Sequence, residues 1–230
     1  MATIVDCNPP YLHPDYAISV ARAPGKRLVE LPRGWFHELP GPVFGRIPIG
    51  PNDNDLTNQH AGRPIGERIL LSGRVLDSDG RGVPGVLIEI WQTNAAGRYV
   101  DAADPCFVPL DPNFTGAGRT ITDSSGRYSF RSIKPAPYLG SVGGWFRPAH
   151  IHVSLFGPNL SNRLVTQCYF EGDPFIAHDP IAQSIPDPRG LERLIALLDL
   201  DRTETHGDDS AVAYGWDIVL RGSSATPLER

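Results

Sequence analysis

The sequence predicts an all-β fold: a β-sandwich of mostly antiparallel strands with an N-terminal arm and one or two helices. Three observations predict it. Apolar runs of strand length recur between residues 68 and 221, separated by turns rich in Gly, Asp and Ser. Glycine (24) and proline (23) are plentiful for a helical chain of 230 residues. Only one long stretch carries a clear helical stripe.

Taken in order, residues 1–66 form the arm. It is rich in Pro, Gly, Asn and Asp, with a short helix expected over residues 16–22. Its apolar residues (Ile18, Leu28, Trp35, Phe36 and Phe44 among them) suit a segment lying over the core or over a partner chain. The sandwich core spans residues 67–222. A first strand is expected over 68–77, then an Asp-Gly turn at Ser78-Asp79-Gly80-Arg81-Gly82, then a strand over 86–91. Further strands are expected at 119–122, 128–132, 149–155, 164–170 and 214–221, with a turn at 123–126. Leu191, Leu194, Ile195, Leu197 and Leu198 recur at helical spacing behind Pro188 and Gly190, which predicts one helix packed on the core. No repeat or linker divides the chain, so residues 1–230 read as a single domain.

Composition narrows the function classes. Hydrophobic residues at 40% and charged residues at 20% fit a soluble globular protein, with a formal net charge of -5. No basic block supports nucleic-acid binding. No apolar run nears the roughly 20 residues of a membrane span. Met1-Ala2-Thr3-Ile4-Val5-Asp6 carries no secretory pattern. Cys7, Cys106 and Cys168 are odd in number and widely spaced, which reads as reduced thiols and a cytoplasmic location.

The chemistry gathers near the middle of the chain. In Trp145-Phe146-Arg147-Pro148-Ala149-His150-Ile151-His152 the two histidines stand two apart. On a strand they share one face. Alone, His-x-His is a weak signal that also occurs in zinc enzymes and in ordinary strands. Two tyrosines in loop-like settings add to it: Tyr99 in Gly97-Arg98-Tyr99-Val100, and Tyr138 in Lys134-Pro135-Ala136-Pro137-Tyr138, where prolines fix φ. Phenolate is a hard anionic donor, and a phenol of pKa about 10 ionises near neutrality only beside a strong Lewis acid. Two phenols and two imidazoles therefore suit Fe(III), with zinc as the second choice. Pro148 argues against a regular strand at Arg147, which is expected at the rim of the site with its cation turned inward.

These residues lie in longer matching text. Pro64-Ile65-Gly66-Glu67-Arg68-Ile69, Glu89-Ile90-Trp91-Gln92-Thr93-Asn94-Ala95, Asp111-Pro112-Asn113-Phe114, the Tyr138 and His150 segments, and Tyr169-Phe170-Glu171-Gly172-Asp173-Pro174 resemble the intradiol ring-cleavage dioxygenase family, from about residue 15 to residue 222. The resemblance implies non-haem Fe(III) held by Tyr99, Tyr138, His150 and His152. It implies that Tyr138 leaves when substrate binds and that Arg147 stabilises the activated ring. Gln167 would add a hydrogen bond beside the metal, while Tyr16, Trp91 and Ile181 would contact the substrate. The implied reaction is cleavage of a catechol by O2, with protocatechuate (3,4-dihydroxybenzoate) giving 3-carboxy-cis,cis-muconate. The implied partner is a homologous alpha subunit in an alpha-beta hetero-oligomer.

The chain also departs from that pattern. Leu139-Gly140-Ser141-Val142-Gly143-Gly144 replaces a segment that commonly carries a pocket aromatic, and Val100-Asp101 replaces a basic pair. Both changes bear on the ring substituent, so a sulfocatechol or hydroxyquinol stays open as substrate. Two other classes stay open as well: a non-catalytic β-sandwich binding module, and a zinc or Fe(II) enzyme using the histidine pair alone.

Overall fold

The computed structural model describes residues 48–102, 104, 106–140, 144–157, 163–205, 207 and 210–228. Tyr16, the short helix expected over 16–22 and Cys7 lie outside the described residues.

Eleven strands carry the described fold. They are β1 (Arg68–Leu76), β2 (Leu87–Trp91), β3 (Ala117–Ile121), β4 (Arg127–Ile133), β5 (Tyr138–Leu139), β6 (Phe146–Arg147), β7 (His150–Phe156), β8 (Leu164–Phe170), β9 (Ile195–Leu198), β10 (Val212–Gly215) and β11 (Ile218–Val219). A 3-10 helix (Pro174–His178) and two short helices, α1 (Pro180–Gln183) and α2 (Pro188–Glu192), connect β8 to β9. Each of the three begins with an Asp cap followed by Pro, whose missing N–H is no loss in a first turn.

Nine of the strands form one nearly closed, mixed sheet in the order β11-β1-β10-β9-β8-β7-β2-β3, with β4 also paired to β1, and β5 and β6 form a separate two-stranded sheet. β1 runs parallel to β10 and β11, and β8 parallel to β9; the remaining pairings are antiparallel. The predicted all-β class stands. Inside, Ile69, Leu71 and Val75 of β1 join Ile88 and Ile90 of β2, Phe130 of β4, and Ile151, Val153 and Leu155 of β7 in one core. Burying such side chains supplies the main driving force for folding. Residues 48–66 cross β3 and β4: Leu56 is fully buried, its N–H donates to Arg131 O at 2.8 Å, and Asp53 pairs with Arg119 at 2.7 Å.

The expected helix through Leu198 does not form. α2 ends at Glu192, and Ile195–Leu198 is strand β9 between β8 and β10. Leu197 and Leu198 are exposed (57% and 45%), whereas a core stripe would have buried them. Short apolar runs fit either period. Here the free backbone groups of β8 and β10 decide, because a strand satisfies both. The single strand expected at 214–221 is two, β10 and β11, broken at Trp216, whose N–H donates to Ser72 O at 2.9 Å.

Candidate metal centre

β7 alternates between two environments. Ile151, Val153 and Leu155 enter the core, so His150 and His152 project from the opposite face. Register extends that face to neighbouring strands. Trp91 of β2 and Gln167 of β8 pair with His152, and Tyr169 of β8 pairs with His150. The Trp91 indole stacks flat on His152, with centroids 4.9 Å apart and planes 2° apart.

The tyrosines arrive from two connections stitched together. Asn94 Oδ1 accepts from the N–H groups of Ala96 and Arg98, closing a tight turn before Tyr99. Ala136 N–H donates to Asn94 O at 3.2 Å, and Thr93 Oγ donates to Ala136 O at 3.3 Å. Gly97, at φ +87°, lets the two segments touch: a Cβ there would stand 3.0 Å from Pro137 O and 3.2 Å from the Tyr138 Cβ. Tyr99 N–H donates to Asp104 Oδ2 at 2.8 Å.

The four donors converge. His150 Nε2 lies 3.3 Å from His152 Nε2, which lies 3.1 Å from the Tyr99 hydroxyl, which lies 3.5 Å from the Tyr138 hydroxyl. Ligands bound at about 2.0–2.2 Å to a common ion stand roughly 3 Å apart when adjacent, so this donor set fits one metal ion. His150 Nδ1 is 2.7 Å from Pro148 O, a contact that calls for a proton on Nδ1 and leaves the Nε2 lone pair for a metal. Burial, with help from Arg147 and His152, holds His150 well below the usual histidine range and so favours the neutral, ligating form. Among the described residues no three His, Cys, Asp or Glu side chains are grouped to hold a metal. The phenols are needed to complete the set.

Tyr99, Tyr138, His152, Trp91 and Arg147 line a cavity of about 570 Å³, with Val100 and Asp101 also on its wall. A larger cavity of about 800 Å³ lies against β1, β3 and β4, among charged groups that include the Arg74–Asp217 pair. It has no comparable donor set, so chemistry rather than volume locates the site.

Arg147 departs from the sequence-based expectation. It is not at a rim: it is 4% exposed and belongs to β6, which pairs with β5 so that Arg147 stands opposite Tyr138. Pro148 only separates β6 from β7. The Arg147 Nη2 donates to Gln167 Oε1 and to Asp179 Oδ2 (3.2 Å), with the Tyr169 hydroxyl 3.5 Å away. Tyr169 and Asp179 are thus part of the site although the sequence analysis named neither for a role there. Tyr169 follows Gln167 by two on one strand, a period-2 signal that was available. No local pattern marks Asp179. Ile181 sits in α1 beside Asp179 and is not on the described cavity wall. Trp145 packs over Gly140, where a Cβ would come within 3.3 Å of the indole, and neither residue is on the described cavity wall.

Comparison with known proteins now decides the family. The model of the Dioxygenase family (Dioxygenase_C) matches residues 39–222. The chain belongs to the intradiol dioxygenases. Members generally use non-haem iron. This intradiol dioxygenase is 49% identical to the protocatechuate 3,4-dioxygenase beta chain of Burkholderia cepacia over 97% of this chain and 94% of that one. It is 34% identical to the protocatechuate 3,4-dioxygenase alpha chain of Pseudomonas putida over 70% of this chain and 75% of that one. The fold matches crystalline 3-chlorocatechol 1,2-dioxygenase from Rhodococcus opacus 1CP with a TM-score of 0.56, at 24% identity, over 79% of this chain and 70% of that one. No helix among the described residues is long and apolar enough to cross a membrane.

Proposed function

We propose that this intradiol dioxygenase is the iron-bearing chain of an enzyme that cleaves protocatechuate with O2 to 3-carboxy-cis,cis-muconate. The observation that carries the reading is the meeting of the Tyr99, Tyr138, His150 and His152 donor atoms within 3.1–3.5 Å of their neighbours. The 49% identity to a protocatechuate 3,4-dioxygenase beta chain supports the choice of ring.

Those four residues would hold Fe(III), whose charge two phenolates offset. The ion, when bound, supplies Lewis-acid activation of a chelated diol toward O2. Tyr138 would accept a proton from a diol hydroxyl as a general base. Its position on a two-residue strand leaves it freer to move than the histidines of β7. Arg147 faces the anionic ring with a permanent charge. Burial opposes that charge, but Tyr169, Asp179 and Tyr138 together hold the guanidinium protonated above its ordinary range. Gln167 adds a donor, since its buried Nε2 has no partner among the described residues. Trp91 provides a flat wall over His152; contacts of Tyr16 and Ile181 to the ring substituent rest on the sequence resemblance alone.

The chain acts as a single domain in the cytoplasm, alongside a homologous alpha subunit like the relative named for that role. One observation favours a second ring. Asp101 lines the cavity, and a carboxylate there receives the extra hydroxyl of hydroxyquinol better than a carboxyl group. Oxygen uptake with protocatechuate, catechol, hydroxyquinol and 4-sulfocatechol, with product identification, tests both readings. Protocatechuate is expected to lead and the iron-loaded protein to be reddish, because ferric tyrosinate absorbs visible light. Iron-loaded protein that consumes no O2 with any of the four rings ends the proposal, as does a colourless, zinc-filled one.

A further inference from the structure

Asp179 is fully buried, although a carboxylate is costly to bury without partners. Its two oxygens do separate work. Oδ2 accepts from Arg147 Nη2 at 3.2 Å and lies 3.1 Å from the Tyr169 hydroxyl. Oδ1 accepts from Ile181 N–H at 3.4 Å. The Asp179 backbone is fixed as well: its N–H donates to Ile176 O, closing the 3-10 helix, and Pro180 follows it in α1. Asp179 is therefore a rigid anion at the junction of two short helices.

Arg147 needs such an anchor. It belongs to a strand of only two residues, and its three side-chain hydrogen bonds among the described residues all fall on one nitrogen, Nη2. Its buried Nε has no partner among the described residues. The guanidinium is thus tethered at one end while it lines the cavity with Tyr138 and His152. Tyr169 braces the tether. Its hydroxyl is within 3.0 Å of Gln167 Oε1 and 3.1 Å of Asp179 Oδ2, so the network closes on itself.

We propose that Asp179 is a positioning residue for ring cleavage: its carboxylate anchors one nitrogen of Arg147, which keeps the rest of the cation turned to the ring held in the cavity. This rests on the intradiol reading above. Among the described residues the side-chain hydrogen-bond partners of Asp179 are Arg147, Tyr169 and the Ile181 N–H, none of them one of the four donors, and Arg147 is the one of these that lines the cavity. A guanidinium misplaced by about 1 Å stabilises the reacting ring far less, because catalytic positioning tolerates little error.

The test is a cycle of wild type, Asp179→Asn, Arg147→Lys and the double variant, each loaded with iron. Iron content, the visible band and the spectral shift on adding protocatechuate without oxygen are read first, then kcat and KM. Asp179→Asn is expected to keep the iron, the band and the anaerobic shift. Its kcat should fall about 10- to 100-fold, as when an outer hydrogen-bond partner is lost, with KM moving less. In the Arg147→Lys background the same change should cost under about 3-fold, because the anchored group is already altered. Multiplicative losses, or an unchanged kcat in Asp179→Asn, would overturn the proposal. Should Asp179→Asn fail to fold, Asp179→Glu keeps the charge and shifts the anchor by one methylene. A lowered kcat with an intact band then supports the role, and a wild-type kcat sinks it. Wild-type protein without the band or without ring cleavage defeats the intradiol reading itself, a result separate from the coupling.

Discussion

The histidine half and the tyrosine half of the donor cluster are held by different kinds of structure. His150 and His152 stand on β7, a seven-residue strand paired on both sides and seated on the core through Ile151, Val153 and Leu155. Tyr99 follows a turn, and Tyr138 opens a two-residue strand whose one partner among the described residues is β6. The core therefore fixes the nitrogen donors, while the oxygen donors hang on short connections tied by a few hydrogen bonds. The proposed role of Tyr138 as the ligand that yields to substrate accords with this division.

The largest expected effect strikes the fixed half. His152→Ala should lose most bound iron and turnover, because it removes a nitrogen donor and the surface on which Trp91 stacks. Metal analysis beside oxygen uptake checks this, and wild-type iron content with a wild-type rate would contradict the ligand assignment. In the tyrosine half, Tyr138→Phe should retain much of its iron on the three remaining donors. Its kcat should still drop about 100-fold or more with the loss of a proton acceptor. A rate near wild type would show that Tyr138 need not leave.

A third change separates the two faces of β7. Ile151→Ala should destabilise the fold by about 2–5 kcal/mol in urea unfolding, as for other large-to-small core changes. The folded fraction should keep its iron stoichiometry, and parallel loss of iron and stability would blur the distinction between core face and site face. The smallest effect concerns acid. Burial holds His150 well below the usual range in the folded protein, so the unfolded chain takes up this proton first. Metal-free protein should therefore lose stability as pH falls below about 6.5, toward the lowered folded value. His150→Asn should flatten that slope between pH 7.5 and 5.5, and an unchanged slope would show that His150 is not its source.

Much of the nitrogen half was legible beforehand. Alternation in Ala149-His150-Ile151-His152-Val153 implies one apolar and one polar face, and the strand formed at nearly the expected residues. The stretch at 191–198 is ambiguous in the sequence because its six apolar residues in eight fit two periods, and only the gap between β8 and β10 selects the strand. Arg147 was misplaced for a similar reason. Pro148 was allowed to forbid a strand, but it only ends one, and pairing with Tyr138 depends on the far side of a connection. Asp179 is not marked by any local pattern: one oxygen caps α1, and the other oxygen's bond to Arg147 spans 32 positions of chain.

By itself, then, the sequence determined the all-β class and most strand positions and singled out the four residues proposed as donors, because these follow from side-chain period and ligand chemistry within a few residues. Tertiary structure alone decided that the donors meet, that Arg147 is buried opposite Tyr138, and that Asp179 anchors it. Those facts depend on strand register and loop contact between segments distant in the chain, which no local pattern encodes.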